Sequence, residues 1–453
     1  MPAPITRALA DFIGGAAESH VPSGALEIIR TGFTDAIACL LAGRHEPVVT
    51  ALRRFESSRG GRPEARLLLG NERIPAAEAA LVNATAAHAL DLDDYAYSNH
   101  PSAVMVPAIL AAAEPRGANG MRMALAYAVG YEVWGELMLR EPDHIYAKSW
   151  HPTGVLGPLG AAAAASVVLG LDSRQSLHAL ALAASFAGGV MENFGTMSKP
   201  IHAGRAAQSG VLAAQMAAAG LEASPTALEG ARGLMWAISP NGKIDRESAP
   251  QLGRSWRLPA LRLNIKKYAT VGASQRSIDS ILAFLKTTKI DSRRVVKIEP
   301  LVSEKHAAVM PFHDAQTALE AKFSLEFTSA CAIAHGRVGL AELKDEVVQS
   351  PEIRRLMKCV SIRTTTEFDP GYTNAAPFDE VRITMDDGTV HVTPPIKRAT
   401  GHADVPLTRE ELWAKFADCA NAGGVAPALA QALFERMQAV DRMASVGDIP
   451  VLS

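Results

Sequence analysis

"VLGPLGAAAAASVVLG", Val155 to Gly170, is the stretch on which the reading of the fold turns. It falls short of the ~20 strongly apolar residues that a membrane span needs, Gly157 and Pro158 interrupt it, and alanine dominates it. Small side chains let helix backbones approach closely, so the stretch predicts a buried helix inside a bundle. The same texture returns in "AAQSGVLAAQMAAAG", Ala206 to Gly220. From Ala8 to about Leu221 apolar residues recur at three- and four-residue spacing, with Gly or Pro at the breaks, which predicts a large helical domain.

After about Lys266 the pattern changes. "RRVVKIEPLVS", "KCVSIRTTTE" and "DEVRITMDDGTVHVTP" are β-branched and alternate with period two, and Asp387-Gly388 is a hairpin turn signal. Between the first two, "DAQTALEAKFSLEFTSACAIAHG" reads as one helix. The chain returns to helix at "PLTREELWAKFADCA", where Thr408 and Glu411 stand at capping-box spacing. The expected fold class is therefore mainly α: a discontinuous all-helical domain, residues 1–265 and 401–453, around a smaller α+β domain, 266–400.

The 453 residues suit two domains, and 48% hydrophobic with 20% charged residues is a globular balance. A formal net charge of -2 gives no reason to expect nucleic acid or an anionic membrane as partner. Cys39, Cys331, Cys359 and Cys419 lie far apart, suggesting neither a zinc site nor a disulfide framework. With no signal-peptide pattern in "MPAPITRALADFIGG", a cytoplasmic location is expected.

Ionisable chemistry concentrates in four places. In "HALDLDDYAYSNHPS", His88 to Ser102, a helical reading puts His88, Asp91 and Asp94 on one face with Tyr95 four beyond Asp91, and His100 in the loop that follows. A carboxylate beside an imidazole holds a proton donor or acceptor in place. The plainer reading is a polar helix end, and a magnesium site would need a second acidic cluster that the sequence lacks. In "SWHPTGVLGPLG", His151 precedes a helix that Thr153 can cap, while Gly154 and Gly157 leave backbone N–H groups open to an anion. "GTMSKPIHAGRAAQSG" reads as a basic loop carrying Lys199, His202 and Arg205, suited to a carboxylate. "LNIKKYATVG" places Lys266, Lys267 and Tyr268 at the domain junction, and clefts between domains are common ligand sites.

"HALDLDD", "HPSAVMVPAILAAAE", "WHPTGVLGPLGAAAAASVVLGLD", "SKPIHAGRAAQSGVLAA" and "IKKYATVG", in that order along almost the whole chain, resemble the MmgE/PrpD family. That family includes 2-methylcitrate dehydratases, cis-aconitate decarboxylases and iminodisuccinate epimerases. The resemblance implies an active site between the two domains and a homodimer, with no metal or other cofactor. It points to Asp91, His100, His151, Lys199 and Lys266 as catalytic, with His202 and Arg205 beside them, and Tyr95, Lys267 and Tyr268 are expected with these two against the substrate. The chain departs from the family pattern at Tyr95 (commonly Thr), Ala269 (Pro), Gln275 (His) and Phe327 (Tyr in the decarboxylases). Tyr95 should narrow the pocket and Phe327 removes a hydroxyl, which disfavours cis-aconitate decarboxylation. The function expected is a metal-independent lyase of dehydratase type, taking a proton next to a carboxylate of a small di- or tricarboxylate. An epimerase using the same step, a decarboxylase, and a non-enzymatic carboxylate-binding scaffold are the alternatives.

Overall fold

The computed structural model describes residues 4–372 and 374–452. They form two compact units, one built from the chain up to Leu263 together with the segment from Leu412 on, the other from Asn264–Glu411.

The helical unit is organised around α1 (Ala25–Gly43), α2 (Ala76–His88), α3 (Pro101–Ala113), α4 (Gly120–Leu139), α5 (Pro152–Leu169) and α6 (Ser198–Ala218). By length and hydropathy α5 could cross a membrane, yet 94% of it is buried inside the unit. Its neighbours reach it through glycine. A Cβ on Gly210 of α6 would land on Ala161 and Ala162 of α5, and one on Gly204 would land on Thr85 and Leu81 of α2. Helix α6 is thus wedged by backbone contact between the helices that end at His88 and begin after His151. That fixes the register of Lys199 and His202 on its first turns.

This packing makes a prediction at Gly210. On an exposed helix face a larger residue in place of glycine would stabilise; here Gly210→Val should lower the unfolding free energy by about 1–3 kcal/mol, the cost of overpacking a filled core. Urea unfolding of the two proteins gives the sign directly.

The second unit is α+β. After α7 (Gln275–Thr287) come β1 (Val295–Ser303), α8 (Leu325–His335), α9 (Pro351–Lys358), β2 (Arg363–Thr365), β3 (Glu380–Met385) and β4 (Val390–Val392). The sheet order is β2-β1-β3-β4. β1 runs parallel to β2, with Leu301 opposite Arg363, and antiparallel to β3, with Ile298 opposite Ile383. Asp387-Gly388 makes the β3–β4 turn, Gly388 taking a φ of +86°. One face of the sheet joins α7 and α8 in a core of Ile278, Ile281, Ile298, Phe327, Val381 and Ile383. The segment read as a single helix from Asp314 is broken instead: Ser324 Oγ accepts from Phe327 N at 3.2 Å and starts α8 afresh. Helix α10 (Arg409–Ala422) opens with the reciprocal pair of bonds between Thr408 and Glu411, at 3.1 and 3.2 Å.

Candidate active site

Helix α2 stops at His88. The following segment is not helical, because Asp91, Tyr97 and Ser98 take positive φ values of 53°, 39° and 61°, and His100, immediately before Pro101, is held out of the helical region. The helical-face reading of His88, Asp91, Asp94 and Tyr95 is therefore corrected; these residues meet through a folded loop, and half-buried Tyr95 is not stacked one turn beyond Asp91. Such conformations cost of order 1 kcal/mol or more each and persist where surrounding contacts enforce them. Here Asp94 supplies the contacts: its carboxylate accepts from Ser102 N at 3.2 Å and Ser102 Oγ at 2.6 Å on the first turn of α3.

Asp93, fully buried, joins two imidazoles. His88 Nδ1 lies 2.9 Å from its Oδ1, and His100 Nδ1 lies 2.9 Å from its Oδ2. His100 Nδ1 is also 3.0 Å from the Asp94 carbonyl, so that nitrogen carries the hydrogen. Burial pushes the Asp93 pKa up, but the charge and hydrogen bonds of His88 and His100 outweigh it and hold the carboxyl well below the usual range. On the far side of His88, Lys199 Nζ sits 3.2 Å from Nε2 and 2.6 Å from Asp91 Oδ1. An ammonium can only donate, so His88 Nε2 accepts and its Nδ1 holds the proton given to Asp93. Lys199 is helical, not in a loop as expected, because α6 begins at Ser198.

His151 completes the cluster from the start of α5. Its ring centroid is 6.0 Å from that of His88 and 6.4 Å from that of His100, and Phe194 packs edge-on at 5.0 Å. Its Nδ1 meets His202 Nδ1 at 3.1 Å, so one of the two donates. Its Nε2 is buried without a hydrogen-bond partner. Two expectations at this turn are corrected. Thr153 does not cap; its hydroxyl is buried and unpartnered, and His151 occupies the cap position. Gly154 does not offer a free N–H, since it donates to the His151 carbonyl at 3.0 Å, and with Gly157 it serves close packing.

Arg205 does not join. Six residues past Lys199, about 1.7 helical turns, it has rotated off the face shared by Lys199 and His202, is exposed, and bonds Gln208 on its own helix. In the second unit Lys266 is 3% exposed, whereas Lys267 forms a half-exposed pair with Glu411 at 3.6 Å. The Tyr268 hydroxyl donates to Asp279 at 2.6 Å and is thereby committed within its own unit. Gln275 bridges backbone, accepting from Tyr268 N and donating to its carbonyl. Phe327 is fully buried in the sheet core, so its lack of a hydroxyl says nothing about a substrate wall.

Sequence reasoning missed His88 as a partner of Lys199, Asp93 as the shared acceptor, and the charges beneath them. Asp35 of α1 and Lys415 of α10, both buried, form an ion pair; Asp35 also accepts from Asp94 N at 2.9 Å, and Lys415 donates to the Leu92 carbonyl at 2.8 Å. The available signal was a charge inside each of two apolar runs, Asp35 in "FTDAIACLL" and Lys415 in "LWAKF".

Burial lowers the pKa of His88 to about 4, with Lys199 and His100 adding to the shift and Asp93 opposing it; burial and Lys199 take His202 to about 4 as well. His151 is driven well below the ordinary value, again chiefly by burial. Since these folded-state values lie below 6.5, the unfolded chain protonates first, and each histidine withdraws stability as pH falls from about 6.5 toward 4, by up to about 1.4 kcal/mol per unit. Asp94, raised well above the carboxylate range by burial, acts in the opposite sense. Nitrogen NMR should therefore find His88 and His202 neutral at pH 7 and titrating near 4; a midpoint near 6.5 for His88 would contradict the closed environment described.

The family model for the MmgE/PrpD N-terminal domain matches residues 7–247, and that for the C-terminal domain matches residues 268–440. Among curated proteins the chain is similar to the cis-aconitate decarboxylase of Mus musculus, 29% identical over 91% of this chain and 86% of the relative. That of Homo sapiens is 30% identical over 76% of this chain and 72% of the relative. The Aspergillus terreus enzyme of the same name is 26% identical over 91% and 88%. With both family domains matched in order across most of its length, the chain belongs to the MmgE/PrpD family.

Proposed function

We propose that the protein is a lyase acting on a small tricarboxylate, with cis-aconitate as the first substrate to test and loss of CO₂ as the leading reaction. The observation that carries this reading is the meeting of one buried ammonium, Lys199, with three imidazoles in a cluster whose carboxylates, Asp91 and Asp93, are already paired. Loss of CO₂ from one carboxylate sends its bonding pair across the adjacent double bond, and the carbon that receives it must be protonated. Lys199 holds a substrate carboxylate and steadies the developing charge, and a ring nitrogen of His100 or His151 delivers the proton. Asp91 orients Lys199. The names of the curated relatives favour decarboxylation over the dehydration and epimerisation first expected. The two sequence arguments against it, at Tyr95 and Phe327, lose their footing with the loop conformation and the core position of those residues.

Incubation with cis-aconitate and, separately, 2-methylcitrate in D₂O, followed by proton NMR, tests the reading. A decarboxylase releases CO₂ and places one deuterium on the protonated carbon. Alkene formation from 2-methylcitrate alone would make it a dehydratase, and exchange without net conversion an epimerase. No turnover of any tested di- or tricarboxylate would leave the scaffold reading. Activity should survive exhaustive chelation, since the proton and charge steps are assigned to side chains; loss restored by magnesium or iron would overturn that assignment. Lys266, expected in the site from the basic junction cluster and from the resemblance, is tested by Lys266→Ala, and the proposed homodimer by light scattering.

A further inference from the structure

The three histidines share a property that proton transfer from one of them does not require. One nitrogen of each of His88, His100 and His151 lies within 4.8 Å of one nitrogen of the other two. Each ring has its Nδ1 committed elsewhere: His88 and His100 to the one carboxylate of Asp93, His151 to His202. Second groups on Nδ1 fix tautomer and ring orientation in metal-binding histidines. For His88 and His100 this leaves a lone pair on Nε2, and the Nε2 of His151 is fully buried without a partner.

We propose that this cluster is a binding site for a divalent d-block cation of the zinc type, three imidazoles with a fourth position open, and that occupancy blocks rather than supports turnover. Zinc–nitrogen bonds of about 2.0–2.1 Å in a tetrahedron bring the nitrogens to roughly 3.3 Å apart, so the rings draw inward when the cation binds. The opposing charge is Lys199, whose ammonium occupies His88 Nε2 at 3.2 Å. Lys199 has a second anchor in Asp91 at 2.6 Å, so the cation displaces one hydrogen bond and leaves the other. Bound metal takes the lone pairs that move protons, which is why inhibition follows. The inhibitory consequence rests on the lyase reading, whereas binding itself does not.

The probe is Co²⁺, which reports four-coordination by intense visible d–d bands, with Zn²⁺ calorimetry alongside. Wild-type protein should bind one equivalent with tetrahedral bands. His151→Gln and His100→Gln should abolish the bands, and Asp93→Asn should weaken Zn²⁺ about 10–100-fold through loss of the outer hydrogen bonds. Lys199→Met should bind Zn²⁺ more tightly, at least tenfold, because the competing ammonium is gone; a surface site would ignore it. Circular dichroism checks that each variant is folded, and with two histidine variants one misfolded protein does not remove the test. Absence of tetrahedral bands, or bands unchanged in the folded histidine variants and unmoved by Lys199→Met, overturns the site. If Co²⁺ binds as described but no carboxylate is turned over, the lyase reading fails and the site stands. If turnover is found and micromolar Zn²⁺ does not slow it reversibly to EDTA, the inhibitory role fails.

Discussion

Replacing Lys199 by alanine is expected to lower kcat/KM on cis-aconitate by roughly 30- to several-thousand-fold, corresponding to about 2–5 kcal/mol of lost transition-state stabilisation. Lys199 is the cation that lies among the three rings, 6% exposed, on a helix held by glycine contacts on two sides. Alanine also strands the buried carboxylate of Asp91, so part of any lost activity could arise from disturbed folding. The paired variant Lys199→Met with Asp91→Asn separates the two effects. It removes both charges, should recover stability to within about 1 kcal/mol of wild type, and should remain as inactive as Lys199→Ala. Recovery of turnover in the neutral pair would show that the lysine serves only to balance Asp91.

Lys415→Met should destabilise the helical unit by about 3–5 kcal/mol, the usual penalty for leaving one member of a buried ion pair alone. Asp35 is fully buried, and burial raises its pKa while Lys415 lowers it. Without the lysine the folded-state value rises further above the unfolded one. Stability lost at pH 7 is then progressively regained as pH falls toward the unfolded value of about 4, because the folded protein takes up the proton first. Urea midpoints for wild type and variant should converge on acidification, and Asp35→Asn in the Lys415→Met background should restore most of the loss at pH 7. Parallel curves at all pH values would refute the pairing. The damage should reach activity, since the same carboxylate accepts from Asp94 N and the lysine holds the Leu92 carbonyl.

How much of this was legible in the sequence depends on whether a local period or a tertiary contact decides the matter. The alanine- and glycine-rich helices, the period-two strands, the Asp387-Gly388 turn and the Thr408/Glu411 box are local signals, and the structure contains those elements. Lys199, His100 and His151 stood out by residue type, and the structure brings them together. The segment after His88 was misread because its helical spacing is real in the sequence, yet Pro101 and the Asp94–Ser102 bonds override it. Arg205 was misjudged for the opposite reason, since an assumed loop hides the rotation that a helix imposes between positions 199 and 205. Phe327 could be compared with a tyrosine only by alignment, and burial in a sheet core has no signature in a single residue. Asp93 was invisible because adjacent aspartates look alike until a fold turns one toward two imidazoles and the other toward a helix start.

That single carboxylate makes two rings answer to one residue. Asp93 fixes the proton on both His88 and His100, so a change at any of the three alters the tautomer available to the other two. A library randomising these positions one at a time should return almost nothing active, whereas simultaneous randomisation should find functional triplets absent from every single-site search. Any change of chemistry through this loop would then have to cross a valley of inactive intermediates, which makes the triplet a conservative element in a site whose remaining walls are free to drift.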